Sequence, residues 1–156
     1  MNTSLTLDLI IASVNYADFL EITLPLNKKH FNKIVILTTP EDLETQKICK
    51  ENSVECFVTE KFKYNGATFD RGSAFNEAVS FYKFTDFLLH LDGDIVLPDN
   101  FKELIIKSNL DPEMFYGSQR IFIPTYEEWV AYTEERLDLK KMLEARRTRF
   151  RLFSVI

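Results

Sequence analysis

FLLHLDGDIVLP, residues 87–98, starts as an apolar strand and turns polar where a sheet would end. Phe87, Leu88, Leu89 and Leu91 precede Asp92-Gly93-Asp94, and Ile95, Val96 and Leu97 follow it. A short apolar run bounded by turn residues reads as a strand buried in a parallel sheet. If that strand stays extended, His90, Asp92 and Asp94 point the same way at period two. Ligands of open α/β sheets bind outside the carboxyl ends of the strands, so polar residues there carry extra weight. Two adjacent carboxylates repel each other, and a hard divalent cation such as Mg²⁺ or Mn²⁺, which prefers oxygen ligands, relieves the repulsion. Gly93 would let a phosphate approach the backbone. A cation there would bridge a diphosphate and stabilise it as a leaving group. The bland alternative, a surface turn after a strand, suits the isolated tripeptide better than it suits this apolar context.

Upstream, short runs rich in β-branched residues alternate with amphipathic stretches, the pattern of parallel strands joined by crossover helices. Leu7 to Ser13, Lys33 to Thr38 and Val54 to Thr59 read as strands that join Phe87 to Leu91. Ala17 to His30 reads as a helix bent or interrupted by Pro25, and Pro40 to Asn52 as a helix with proline in its first turn. Ser73 to Phe84 places Phe75, Ala78, Val79 and Tyr82 on one buried face. The expected fold class is therefore α/β, a Rossmann-like, mostly parallel sheet with helices on both faces.

Downstream, Asp99 to Ser108 reads as a helix with Phe101, Leu104 and Ile105 inward, and Phe115 to Ile123 as a strand. Thr125 with Glu128 is a capping-box signature for a long helix from about Tyr126 towards Arg146. Phe150 to Ile156 reads as a further strand, whose apolar edge leaves room for a second copy in a homo-oligomer.

Composition sets outer bounds. A chain of 156 residues with 46% hydrophobic content suffices for one core, and no repeat or Pro/Gly linker divides it. A net charge of −5 argues against nucleic acid as the main partner. Lys140 to Arg151 departs from that average, with six basic residues against one acid. Its plain reading is a solvated helix face, and its functional reading is contact with an anionic acceptor or membrane surface. Cys49 and Cys56 lack the paired spacing of a structural zinc site and read as reduced thiols. Asp8 interrupts the apolar run from Leu5 to Val14, so no signal peptide is read there, and no stretch is long enough to span a bilayer. A cytoplasmic protein is the expectation.

The ordered motifs resemble a known family. FLLHLDGDIVLP looks like the strand and DxD motif of GT-A glycosyltransferases, especially the inverting family 2. Ile11-Ala12-Ser13-Val14-Asn15-Tyr16 is similar to the first-strand tip that contacts the nucleotide. Asp70-Arg71-Gly72-Ser73-Ala74-Phe75-Asn76 is similar to the segment opening the helix before the DxD strand. The resemblance covers residues 7–124. It implies a nucleoside-diphosphate sugar donor, with UDP as the expected nucleotide, and an acceptor (glycan, protein or other) that the sequence does not name. Asp92 and Asp94 would serve the metal, Asp92 and Gly93 the diphosphate, and Ser13, Asn15, Arg71 and Asn76 the nucleotide. Each has a plainer reading: Asn15 as a turn residue, Arg71 as a salt-bridge partner of Asp70, and His90 as a strand histidine.

The chain also departs from the family. Thr38-Thr39-Pro40 stands where an acidic pair commonly follows the second strand, with Glu41 and Asp42 displaced. These acids also suit a helix start, so a role at the base is one reading among two. An inverting enzyme needs a general base for the acceptor hydroxyl. Glu127 and Glu128 fall in roughly the right order, although Glu128 has its capping role, and no histidine follows His90. The sequence thus reads as one GT-A-like domain over 1–156. Residues 7–124 form its nucleotide-sugar-binding core; 125–156 form a long helix and terminal strand, with the acceptor region short or absent. A catalytically incomplete binding module is the competing reading. A sugar-nucleotide pyrophosphorylase would need a glycine-rich loop after the first strand, and a phosphatase with an aspartate nucleophile would carry its DxD there.

Overall fold

The structure, a computed structural model, describes residues 5–117, 123 and 125–133. Its sheet consists of β1 (Leu7–Ala12), β2 (Lys33–Thr38), β3 (Glu55–Val58) and β4 (Phe87–Asp92). All pairings are parallel, in the order β3-β2-β1-β4. The two inner strands are the most apolar, and Leu9, Ile10, Ile11, Val35, Ile36 and Leu37 are fully buried. Each such side chain contributes about 1.5–3 kcal/mol by leaving water, an upper figure because the unfolded chain already buries some of it.

Helices cover both faces, as the buried runs require. Ile10, Val35 and Leu37 form a core with Ala74 and Ala78 of α3 (Arg71–Phe81). Ile36, offset by one residue, faces the other way in register with Cys56 of β3, where α2 (Leu43–Glu51) supplies Cys49. Hydrogen bonding between these two thiols, with burial added, pushes Cys49 far above the usual thiol range, so it stays protonated. α2 packs against α1 (Ala17–Asn27), which carries Pro25 within it and continues as a short 3₁₀ turn over Lys28–His30.

Local chemistry moves several expected boundaries. The second helix starts at Leu43 rather than Pro40, because the Asp42 side chain caps it by accepting from Thr45 N–H at 3.1 Å. The third starts at Arg71, because Asp70 accepts from Ser73 N–H at 2.8 Å and from the Ser73 hydroxyl at 2.6 Å. Its inward face is also rotated from expectation. Ala74 and Ala78 are fully buried, Phe75 is partly so, Val79 is 39% exposed, and Tyr82 lies past the helix end. Two alanines let the helix approach the sheet closely, and that contact decides which stripe turns inward.

The chain divides into two compact units, Met1–Leu97 and Pro98–Ile156. The second includes α4 (Phe101–Lys107) and α5 (Tyr126–Thr133). In α4, Phe101 and Ile105 are half-buried, but Leu104 is exposed rather than inward. The Thr125 hydroxyl accepts Glu128 N–H at 3.2 Å, one half of the expected capping box. Residues 115–117 are not extended into a strand. The rest of the expected strand to Ile123, apart from Ile123 itself, lies outside the described residues. So do the helix beyond Thr133, the basic stretch and the terminal strand.

Candidate functional site

The carboxyl ends of β1, β2 and β4 lie side by side, with Ala12 in register with both Leu37 and Asp92. The segments leaving these three strands therefore converge on one edge of the sheet. After β4 the chain does not stay extended. Gly93 and Asp94 form a turn closed by Ile95 N–H to the Asp92 carbonyl at 3.3 Å, so the period-two alignment of His90 and Asp92 stops short of Asp94.

Side chains of α1 hold that turn. The Thr23 hydroxyl donates to the Gly93 carbonyl at 2.6 Å. The Asn27 amide donates to the Ile95 carbonyl at 2.8 Å and accepts from Leu97 N–H at 2.9 Å. Thr23 and Asn27 are fully buried beside Leu20 and Leu24. Sequence reasoning passed over them, although two hydrogen-bonding residues four apart within an apolar helical stripe are the visible trace of a polar contact underneath.

Asp92 meets Arg71. The guanidinium donates to Asp92 Oδ1 at 2.6 Å, with the two side chains 47% and 27% exposed. The alternative of an Arg71–Asp70 pair is replaced, because Asp70 is engaged in capping α3, and the Ser73 hydrogen bonds hold its carboxyl below the usual range. Ser13 is buried nearby, and its hydroxyl has no hydrogen-bond partner among the described residues. A Cβ added at Gly93 would stand 3.7 Å from that hydroxyl and 3.8 Å from Ile11 Cγ2, ordinary contacts, so packing within the chain does not demand glycine here. Asp94 is exposed. His90 packs edge-on against the Phe75 ring with centroids 5.2 Å apart, in keeping with a strand histidine.

Asn15 is joined to a different carboxylate. It adopts φ 56°, a left-handed conformation that Asn tolerates, and its N–H donates to Asp42 Oδ2 at 2.7 Å. Asp42 also accepts from the Thr38 hydroxyl at 2.9 Å and caps α2. Burial pushes its carboxyl upward, but the hydrogen bonds from Asn15, Thr45 and Thr38 outweigh that and leave it below the ordinary value. Asn15 and Asp42 border an open cavity of about 480 Å³ whose lining also includes Asp18, Glu41 and Glu44. Four carboxylates suit hydrogen-bond donors there better than phosphate. Asn76 is exposed more than a turn beyond Arg71, its carbonyl taken by the Ser80 hydroxyl. Glu127 lies exposed and Glu128 half-buried at the start of α5, in the second unit.

Among the described residues no group of three or more His, Cys, Asp and Glu is placed to hold a metal by itself. Nor is any helix among them long and apolar enough to cross a membrane.

No protein-family model matches the chain, and no curated protein matches it. Among solved structures, mannosyl-3-phosphoglycerate synthase from Rubrobacter xylanophilus is 21% identical with a TM-score of 0.44, over 58% of this chain and 31% of that one. Glucosyl-3-phosphoglycerate synthase from Mycobacterium tuberculosis, in complex with Mn²⁺, uridine-diphosphate and phosphoglyceric acid, is 13% identical with a TM-score of 0.45, over 66% and 37%. The same synthase with uridine-diphosphate is 13% identical with a TM-score of 0.46, over 66% and 38%. This chain thus spans well under half the length of those it resembles.

Proposed function

We propose that the chain is the nucleotide-sugar-binding part of a GT-A-type glycosyltransferase, related to the inverting family 2, that takes a UDP-linked donor with a divalent cation. The observation that carries this reading is the meeting of Asp92 and Arg71 at 2.6 Å, at the carboxyl edge of a parallel sheet. The buried Ser13 hydroxyl beside Gly93, which has no partner among the described residues, fits the same reading.

A Mg²⁺ or Mn²⁺ ion suits the donor set. Such ions are commonly held by one or two carboxylates, with substrate phosphates and water completing the shell, so two aspartates suffice as the protein's share. Asp92 and Asp94 would hold the ion, which when bound would act as a Lewis acid on the diphosphate leaving group. Thr23 and Asn27 keep the turn between these two residues fixed. Arg71 would offer its guanidinium to phosphate oxygens, a geometry it matches bidentately. The carboxylates around Asn15 and Asp42 would accept hydrogen bonds from the N–H and hydroxyl groups of the nucleoside. Asn76 is proposed at the margin of the nucleotide, and Glu127 or Glu128 as the general base.

The test is release of UDP from UDP-hexoses in the presence of Mn²⁺, with and without candidate acceptors. Turnover abolished by Asp92→Ala or Asp94→Ala supports an enzyme. Metal-dependent binding without turnover assigns the chain as a nucleotide-sugar-binding module, and absence of both binding and turnover overturns the proposal.

A further inference from the structure

The ion pair that supports a metal site also competes with the metal. Arg71 Nη1 lies 2.6 Å from Asp92 Oδ1, so a cation on the same carboxylate would sit within a few ångströms of a fixed positive charge. Like charges at such separations repel appreciably even at a partly exposed site. The backbone of Arg71 is anchored, since it opens α3 immediately after the Asp70 cap. The guanidinium itself is 47% exposed at the end of a long side chain and can swing away without disturbing the helix.

We infer that Arg71 is the resident counter-ion of Asp92, displaced by the divalent cation only when a diphosphate is present to receive the guanidinium. The inference rests on the functional reading above and adds a property to it: metal and nucleotide bind as a coupled pair rather than independently. Metal alone must drive an arginine into water, away from a carboxylate. Metal with diphosphate exchanges one charge-assisted contact for another, because phosphate oxygens accept the same planar fork. Coupling of this kind is reciprocal, so UDP should tighten Mn²⁺ binding by the same factor by which Mn²⁺ tightens UDP binding. Arg71 thus acts on the cation through Asp92 and on the diphosphate directly.

The experiment measures free Mn²⁺ by electron paramagnetic resonance while the full chain is titrated, with and without saturating UDP. Wild type, Arg71→Gln, Arg71→Met and Arg71→Lys are compared, and circular dichroism checks that each is folded. The expected result is that both neutral variants bind Mn²⁺ alone about three- to ten-fold more tightly than wild type, while UDP improves their Mn²⁺ affinity by a smaller factor. Arg71→Lys, which keeps the charge, should remain close to wild type for Mn²⁺ alone. If wild type binds Mn²⁺ with UDP but the neutral variants bind Mn²⁺ alone no better, the exchange is overturned and the functional reading stands. If wild type binds neither Mn²⁺ nor UDP in any combination, both are overturned.

Discussion

At the amino end of β1, Asp8 is fully buried and accepts from Lys33 N–H at 3.0 Å, Thr85 N–H at 2.8 Å and the Thr85 hydroxyl at 3.0 Å. At the carboxyl end of β4, Asp92 is partly exposed and paired with a guanidinium on a long side chain, near a buried hydroxyl that has no partner among the described residues. The two acids belong to neighbouring strands of one sheet, yet their environments assign them opposite work. Asp8 is surrounded by donors that belong to the backbone or to a short side chain, and these cannot leave without unfolding, so it is a structural tie between β1 and its neighbours. Asp92 has a partner that can be exchanged. Whether an acid's donors are fixed, rather than burial alone, is what separates a framework acid such as Asp8 from one whose guanidinium partner can be exchanged.

This contrast is open to attack by mutation. Asp8→Ala strips the acceptor from two part-buried N–H groups and a hydroxyl, and should destabilise by about 2–3 kcal/mol in urea denaturation. A loss below about 1 kcal/mol would show that the amino end is not tied as described. Asn27→Ala removes both hydrogen bonds holding Ile95 and Leu97. It should cost about 2 kcal/mol. Because it also frees the turn after Asp92, it should weaken UDP binding in Mn²⁺ by calorimetry; stability loss with unchanged affinity would separate the turn from the site.

Asp42→Ala removes a helix cap and should cost about 1–2 kcal/mol at pH 7. The folded carboxyl lies below its unfolded value, so this contribution is complete above the unfolded value and is lost as pH falls through the folded one. The stability gap between wild type and Asp42→Ala should therefore close as pH falls through and below the ordinary carboxylate range. A gap that persists unchanged at low pH would mean that the charge is not what Asp42 contributes. Gly93→Ala should have the smallest effect on folding, within about 0.5 kcal/mol, since its added Cβ meets only ordinary contacts. If the glycine serves a bound phosphate, the same variant loses UDP affinity.

The strands were legible because each is an apolar, β-branched run, and parallel strands buried on both faces must be written that way. Boundaries failed where a side chain intervened: proline at position 40 suggested a helix start, but the Asp42 carboxylate accepts from Thr45 N–H ahead of it and so caps a helix that begins at Leu43. The face of α3 failed because helical periodicity alone does not reveal that Ala74 and Ala78 permit the close approach that fixes rotation. Within the site, Asp92 and Arg71 were visible as types of residue at motif positions. Their pairing spans 21 residues and depends on how α3 is set against β4, which no local pattern encodes. The support from α1 is equally non-local, since Asn27 bonds a segment some seventy positions away.

On the proposed reading, Asp92 belongs to a metal-dependent diphosphate site rather than to the framework. Calorimetric titration of UDP into wild type and Asp92→Asn, each with Mn²⁺ and with EDTA, tests it most directly. Binding by wild type is expected only with Mn²⁺, weakened about 100-fold or more in Asp92→Asn, with the thermal midpoint nearly unchanged. Equal UDP affinity in the two proteins, or binding indifferent to EDTA, would contradict it.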